Sequence, residues 1–321
     1  MKRHGHQAPQ RRPNKVKDTD TSQCRQGLVV STHGRHVVVE DEDGSRLICH
    51  PRGKKSEAVV GDRVLWQHTL DGGDEGVIVQ VQERRNLLYR QDEWRSKSFA
   101  ANLDQLLMWI AVEPVFSEVQ LTRALIAARS ADIPVTIVLN KVDLPGAQNA
   151  RDRLMPYRAM GYPVVELSLK ADTEAAREQV MPLLDGRATL VLGPSGAGKS
   201  TLINTLLPHA RAEVGEISQA LNSGRHTTTT SLWYWVDEAH RTAVIDSPGF
   251  QEFGLHHIPA TELARWMPDI AAHMNDCRFH NCTHRQEPGC AVQAAVERGE
   301  ISPIRLSLYT DLFDELSRPR W

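Results

Sequence analysis

Residues 193–200 read Gly193-Pro194-Ser195-Gly196-Ala197-Gly198-Lys199-Ser200, a complete G-x-x-x-x-G-K-[ST] pattern. The apolar run Thr189–Leu192 precedes it, and a helix-compatible run from Ser200 follows. In that setting the glycines let backbone N–H groups curl around a phosphate, and the helix offers its positive end. These eight residues and the adjoining Thr201 are expected to hold a nucleoside triphosphate. Lys199 should reach the β/γ-phosphates, and the Ser200 hydroxyl should bind Mg²⁺. The pattern says nothing about the base.

Asn140-Lys141-Val142-Asp143 can supply that choice. The Asp143 carboxylate can accept from both the ring N–H and the exocyclic amine of guanine, a donor pair that adenine lacks. Asn140 can orient the loop, and the Lys141 stem can cover the base plane. Such residues are ordinary in loops, so the tetrad alone is a weak signal. It gains weight because it ends the β-branched run Val135–Leu139, where parallel sheets bind ligands. One strand later, Ser168-Leu169-Lys170 resembles the second guanine-side loop of GTPases. With the phosphate loop present, GTP and GDP are the expected ligands. An ATPase or small-molecule kinase is the weakest reading.

Two further segments could sense a γ-phosphate. Asp246-Ser247-Pro248-Gly249 follows an apolar run. Asp246 should hold Mg²⁺ through water, and the Gly249 N–H should touch the phosphate. One threonine of residues 227–230, taken as Thr228, should complete the metal's shell. Phe250 stands where many GTPases carry a water-orienting glutamine, so intrinsic hydrolysis should be slow. His226 is the local catalytic candidate. The plainer reading of His226 is a solvent-exposed histidine.

A second metal is expected at Cys277-x4-Cys282-x-His284-x5-Cys290. Three of the five cysteines fall here, within a polar run. Three thiolates and one imidazole suit a closed, tetrahedral, structural Zn²⁺, one per chain. His273 and His280 are rivals for the fourth position.

These groups need elements to carry them. Residues 1–23 hold six basic residues and no acid before Asp18, with few apolar side chains, so a disordered basic tail is expected. It is either a solubilising tail or an arm for phosphate backbones. Residues 24–95 alternate apolar and polar between Gly-rich turns, which predicts a small OB-type β-barrel. An RNA-binding barrel and a barrel with only a packing role both fit. Arg52, Lys54, Lys55, Arg63, Arg84 and Arg85 are its candidate backbone contacts. Residues 96–255 alternate apolar strands with helices, which predicts a parallel sheet covered on both faces. Helix starts are expected near Ser117, Ala147, Asp172 and Lys199. Residues 256–321 should form a mostly helical zinc-binding domain. No apolar run approaches 18 residues and no secretory signal precedes the tail, so no membrane role and a cytoplasmic protein are expected. The 38 Lys+Arg against 40 Asp+Glu make no global case for nucleic acid, so any such contact must be local.

The loops run guanine reader, second guanine loop, phosphate loop, first switch, second switch. An ordinary GTPase begins with the phosphate loop. Joining its ends and cutting after the second switch gives the present order, a circular permutation. That order, His226-Thr227-Thr228-Thr229, Asp246–Gly249, an upstream barrel and C-x4-C-x-H-x5-C together resemble the RsgA/YjeQ family of small ribosomal subunit biogenesis GTPases, over about residues 24–310. The resemblance implies an OB barrel, a permuted GTPase and a zinc domain. It also implies a protein that binds the small (30S) ribosomal subunit and its rRNA late in assembly and hydrolyses GTP slowly until the subunit stimulates it; a monomer is expected. Two other readings remain open: an RNA-binding GTP sensor, and a permuted GTPase acting on another RNA such as tRNA.

Overall fold

The computed structural model describes residues 22–34, 36–51, 58–69, 75–207, 231–250 and 252–318. The basic tail through residue 21 and the stretch holding His226 and Thr228 lie outside the described residues, as do Arg52, Lys54 and Lys55.

Five strands form the barrel: β1 (Arg25–His33), β2 (His36–Asp41), β3 (Arg46–Pro51), β4 (Arg63–His68) and β5 (Glu75–Val81). They follow the order β1-β2-β3-β5-β4, with β3 and β5 parallel, and β4 pairs back on β1 to close the ring. Closure removes free sheet edges and leaves a small interior filled by Val29, Val37, Val39, Cys49, Val64, Trp66 and Ile78. The Arg84 guanidinium pairs with the fully buried Asp62 at 2.7 Å. Arg85 donates to Asn102 O and to Asp104 at the barrel's junction with the next unit. Both arginines thus also have intramolecular partners.

A hairpin, β6 (Leu87–Gln91) and β7 (Ser96–Ala101), follows and lies across the expected boundary at 95/96. Next come β8 (Gln105–Ala111), α1 (Glu118–Ser130), β9 (Val135–Asn140), α2 (Ala147–Ala159), β10 (Val164–Leu167), α3 (Thr173–Leu184), β11 (Ala188–Leu192), α4 (Lys199–Leu206), β12 (Leu232–Trp235) and β13 (Ala243–Asp246). Their order across the sheet is β10-β9-β8-β11-β13-β12. The first five are parallel, and β12 runs antiparallel to β13, a departure from an all-parallel sheet. The cap expected at Ser117 accepts from Gln120 N, and the helix expected from about residue 172 is capped by Asp172, whose side chain accepts from Ala175 N.

All seven residues of β8 are buried, so it must be covered on both faces. Period-2 alternation divides its side chains. Leu106, Met108 and Ile110 share a core with α1, α2 and the C-terminal segment, while Leu107, Trp109 and Ala111 share one with α3 and α4.

That C-terminal segment has a 3₁₀ stretch Ala260–Trp266 and helices α5 (Pro268–Ala271), α6 (Ala291–Glu297) and α7 (Pro303–Leu316). Arg305, only 4% exposed, fastens it to the sheet domain: it pairs with Asp269 at 2.7 Å, donates to Thr122 at 2.7 Å and lies over the Tyr157 ring. The barrel is joined through β12, which pairs with β1 at Ser31↔Leu232, while Trp235 donates to Glu40 at 2.6 Å.

Candidate functional site

Because β8, β9, β10, β11 and β13 are parallel, the loops leaving them emerge at one sheet edge. The phosphate loop leaves β11, central in the sheet. Gly193 passes so close to β8 that a Cβ there would lie 1.9 Å from Trp109 O, so only glycine fits. Gly198, with φ 105, makes the left-handed turn into α4. Lys199 opens that helix, and its buried Nζ donates back to Gly193 O at 2.8 Å and Pro194 O at 2.9 Å. The loop is thus curled around its own ammonium group.

Asp246 ends β13 beside that lysine. Burial pushes its carboxyl up to about 6, although the Lys199 charge and a Ser247 backbone hydrogen bond act against the shift. Burial likewise lowers the Lys199 pKa, opposed by Asp246. Each is a costly buried charge with the other nearby, the arrangement expected where a ligand's charges complete the balance. Ser247 Oγ donates to Val191 O at 2.7 Å and holds the chain against β11. Gly249 then lies directly on the phosphate loop: a Cβ there would sit 3.1 Å from Ser195 N and 3.4 Å from Lys199 Nζ. Phe250, 4% exposed, points away and packs edge-on against Phe253, so its ring belongs to the core.

Asn140 ends β9 and is 3% exposed. Its Nδ2 donates to Ala197 O at 2.9 Å, and its Oδ1 accepts from Lys141 N at 2.8 Å and Leu169 N at 3.1 Å. One amide therefore joins the residue 140–143 loop, the phosphate loop and the Ser168–Lys170 loop. Lys141, at φ 63, donates from Nζ to Gly196 O at 2.9 Å and to Glu113 O. Asp143 N donates to Ser168 Oγ at 2.9 Å, and the Asp143 side chain is exposed at the same edge. Thus 140–143, 168–170, 193–200 and 246–249, scattered in sequence, meet at one place. His226 and Thr228 lie outside the described residues.

Two members of this edge carried no sequence signal. Trp109 Nε1 donates to Ala197 O at 3.1 Å. In an unbroken apolar run, an indole with a hydrogen-bonding task reads the same as one that only fills space. The Glu113–Pro114 turn takes the Lys141 hydrogen bond and backs Gly196, where a Cβ would stand 3.4 Å from Pro114.

The ligand atoms of Cys277, Cys282, His284 and Cys290 all lie within 4.8 Å of one another. Cys277 Sγ is 3.4 Å from His284 Nδ1, Cys290 Sγ is 3.6 Å from it, and the two sulfurs are 4.0 Å apart. A tetrahedron with bonds of about 2.3 Å to sulfur and about 2.0 Å to nitrogen has edges of roughly 3.5–3.8 Å. The four residues therefore fit a closed metal site. His284 reaches it from a left-handed backbone position, φ 61. The Glu287 carboxylate binds the loop by accepting from Thr283 N and Arg285 N, and Ala291 N donates to Cys277 Sγ at 3.4 Å. The rivals take no part: His273 faces Glu300 at 3.7 Å, and neither it nor His280 belongs to the cluster.

Residues 81–256 match the family model described as RsgA GTPase. A protein of Variovorax paradoxus described as small ribosomal subunit biogenesis GTPase RsgA is 59% identical, over 98% of this chain and 99% of that one. A protein of Burkholderia pseudomallei with the same description is 53% identical, over 91% and 93% of the two chains. Among solved structures, YjeQ from Thermotoga maritima superposes with a TM-score of 0.70 at 32% identity, covering 92% of this chain and all of the other. YloQ, described as a circularly permuted GTPase, gives 0.67 at 27% identity over 95% and 100%. No helix among the described residues is long and apolar enough to cross a membrane.

Proposed function

The chain belongs to the RsgA GTPase family and hydrolyses GTP, and on that premise we propose that it works on the small (30S) ribosomal subunit late in its maturation. It binds the subunit in the GTP form, hydrolyses GTP slowly alone and faster on the subunit, and leaves with GDP. The relatives' printed descriptions support the biogenesis role. The observation that carries the nucleotide site is convergence: the Ala197 carbonyl, in the phosphate loop, is bound by Asn140 from a loop that precedes it by 57 residues.

In this reading Asp143, Asn140, Lys141, Val142 and Ser168–Lys170 take guanine, while residues 193–201 and Gly249 take the phosphates. Ser200, Thr228 and Asp246 hold Mg²⁺, which when bound neutralises charge on the β- and γ-phosphate oxygens. His226 orients or polarises the attacking water, since Phe250 is occupied in the core. His226→Ala should lower stimulated turnover with little loss of GTP affinity; unchanged turnover would remove His226 from the mechanism. The Cys277/Cys282/His284/Cys290 metal is Zn²⁺, on its thiolate-rich donor set and closed geometry.

The domain division 24–95, 96–255 and 256–321 is kept in this proposal, with the protein acting in the cytoplasm. Two features support RNA as partner. The barrel has OB-type strand order, and Trp94, at the turn of the β6–β7 hairpin beside Arg95, is 79% exposed. An exposed indole next to a cation suits an unpaired base and its phosphate. Nucleotide state reaches the rest of the molecule through the segment after Gly249. Gln91 N donates to Gly254 O at 3.0 Å, and Arg123 joins Phe253 O to Glu315 of α7. Co-sedimentation with purified small subunits, against tRNA as competitor, tests the partner. Binding that tRNA abolishes at equal mass would favour the other-RNA reading.

A further inference from the structure

We infer that Trp109, on β8, is a positioning residue of the nucleotide site, holding the phosphate loop in its ligand-ready shape by a hydrogen bond that it shares with the guanine-side loop. The inference rests on residues 193–200 being the phosphate site. Ala197 O is buried and accepts two donors, Trp109 Nε1 at 3.1 Å and Asn140 Nδ2 at 2.9 Å. A carbonyl oxygen has two lone pairs, so this acceptor is saturated.

The surrounding geometry is built around that junction. Trp109 is fully buried, so its indole N–H has no water to fall back on. A Cβ on Gly198 would lie 2.5 Å from Asn140 Nδ2 and 3.6 Å from Trp109 Nε1, so a side chain there would displace the donors. A Cβ on Gly193 would strike the Trp109 backbone carbonyl itself. The same tryptophan thus touches the loop twice: its main chain sets how closely Gly193 passes, and its side chain fixes where Ala197 turns. Turning Ala197 O inward, toward Trp109 and Asn140, fixes the peptide plane between Ala197 and Gly198. That orients the Gly198 N–H, one of the loop donors available to a phosphate. The bond is therefore expected to act on ground-state nucleotide binding, equally for GDP and GTP, and not on the chemical step.

Two variants of the full-length protein test this, with fluorescent GDP and GTP analogues as probes. Trp109→Phe removes the N–H and part of the ring. A benzothiophene isostere introduced at 109 by nonsense suppression keeps the fused ring and removes only the donor. Both should raise Kd for GDP and GTP together by about five- to tenfold, the size of one buried hydrogen bond. KM should rise in step while kcat at saturating GTP stays within about twofold. In a cycle with Asn140→Ala the two losses should be non-additive, because both donors serve one acceptor. An isostere with unchanged Kd overturns the inference, whatever Trp109→Phe does. A loss confined to kcat also overturns it. Lys199→Ala separates the premise: if that variant still binds triphosphate normally, the site assignment itself has failed.

Discussion

At the scale of single residues, the nucleotide site holds charge at a cost until its ligand arrives. Asp246 has a carboxyl raised to about 6 by burial, with Lys199 opposing. A carboxyl that binds its proton more readily folded than unfolded contributes stability below its unfolded pKa, near 4. It loses that contribution as pH rises through about 6. At pH 7.5 the nucleotide-free protein therefore carries a penalty of order 3 kcal/mol at this position. Asp246→Asn should stabilise the nucleotide-free protein at pH 7.5 and much less at pH 5, read as urea midpoints, while weakening Mg²⁺-dependent GTP binding. A variant less stable at pH 7.5 would contradict this. Base choice is also a single-residue matter. Asp143→Asn should weaken GTP at least tenfold and shift preference toward xanthosine nucleotides, because an amide cannot accept from both guanine donors. Unaltered preference in competition binding would remove Asp143 from the reader.

At the scale of elements, what could be read in the sequence was whatever is local. The phosphate loop, the strand-end tetrad and the metal quartet each carry their chemistry within a few residues, and flanking periodicity set them on the right elements. Ser117 announced its helix because a cap needs only its own first turn. Trp109 and Arg305 were not legible: their hydrogen bonds to Ala197 and Thr122 bridge 88 and 183 positions, contacts that only the fold creates. The ion pairs of Arg84 and Arg85 were hidden for the same reason, since nothing local distinguishes a solvated arginine from one paired with Asp62 or Asp104. The β6–β7 hairpin was lost because it straddles two units and belongs by hydrogen bonding to the segment after the second switch. Its exposed Trp94 yields a prediction. Trp94→Ala should weaken small-subunit binding about tenfold, within the ~1–3 kcal/mol of one base–aromatic stack, and leave GTP affinity alone. Equal binding of variant and parent to purified subunits would remove the hairpin from the interface.

At the scale of the whole molecule, the described parts are not beads on a string. The barrel continues the GTPase sheet through β1 and β12, and the C-terminal helices share a core with α1 and α2. Arg305 spans that join: it donates to Thr122 of α1 while paired with Asp269, and breaking such a buried pair costs roughly 3–5 kcal/mol. Metal loss should therefore lower one shared melting transition rather than release the C-terminal segment alone. Calorimetry with and without a strong chelator checks this, and a separate low-temperature transition would count against it. The cut that places the second switch just before the C-terminal segment also sets the stretch that follows the switch, at Phe253 and Gly254, against the Trp94 hairpin and, through Arg123, against α7. In the proposed function, one surface would thus report subunit contact to the γ-phosphate and nucleotide state to the subunit. The most direct test is GTP turnover by the full-length protein with and without purified small ribosomal subunits. The account predicts slow turnover alone and a large increase with subunits, absent in Lys199→Ala; turnover unchanged by saturating subunits would contradict it and leave a GTP-sensing RNA binder in its place.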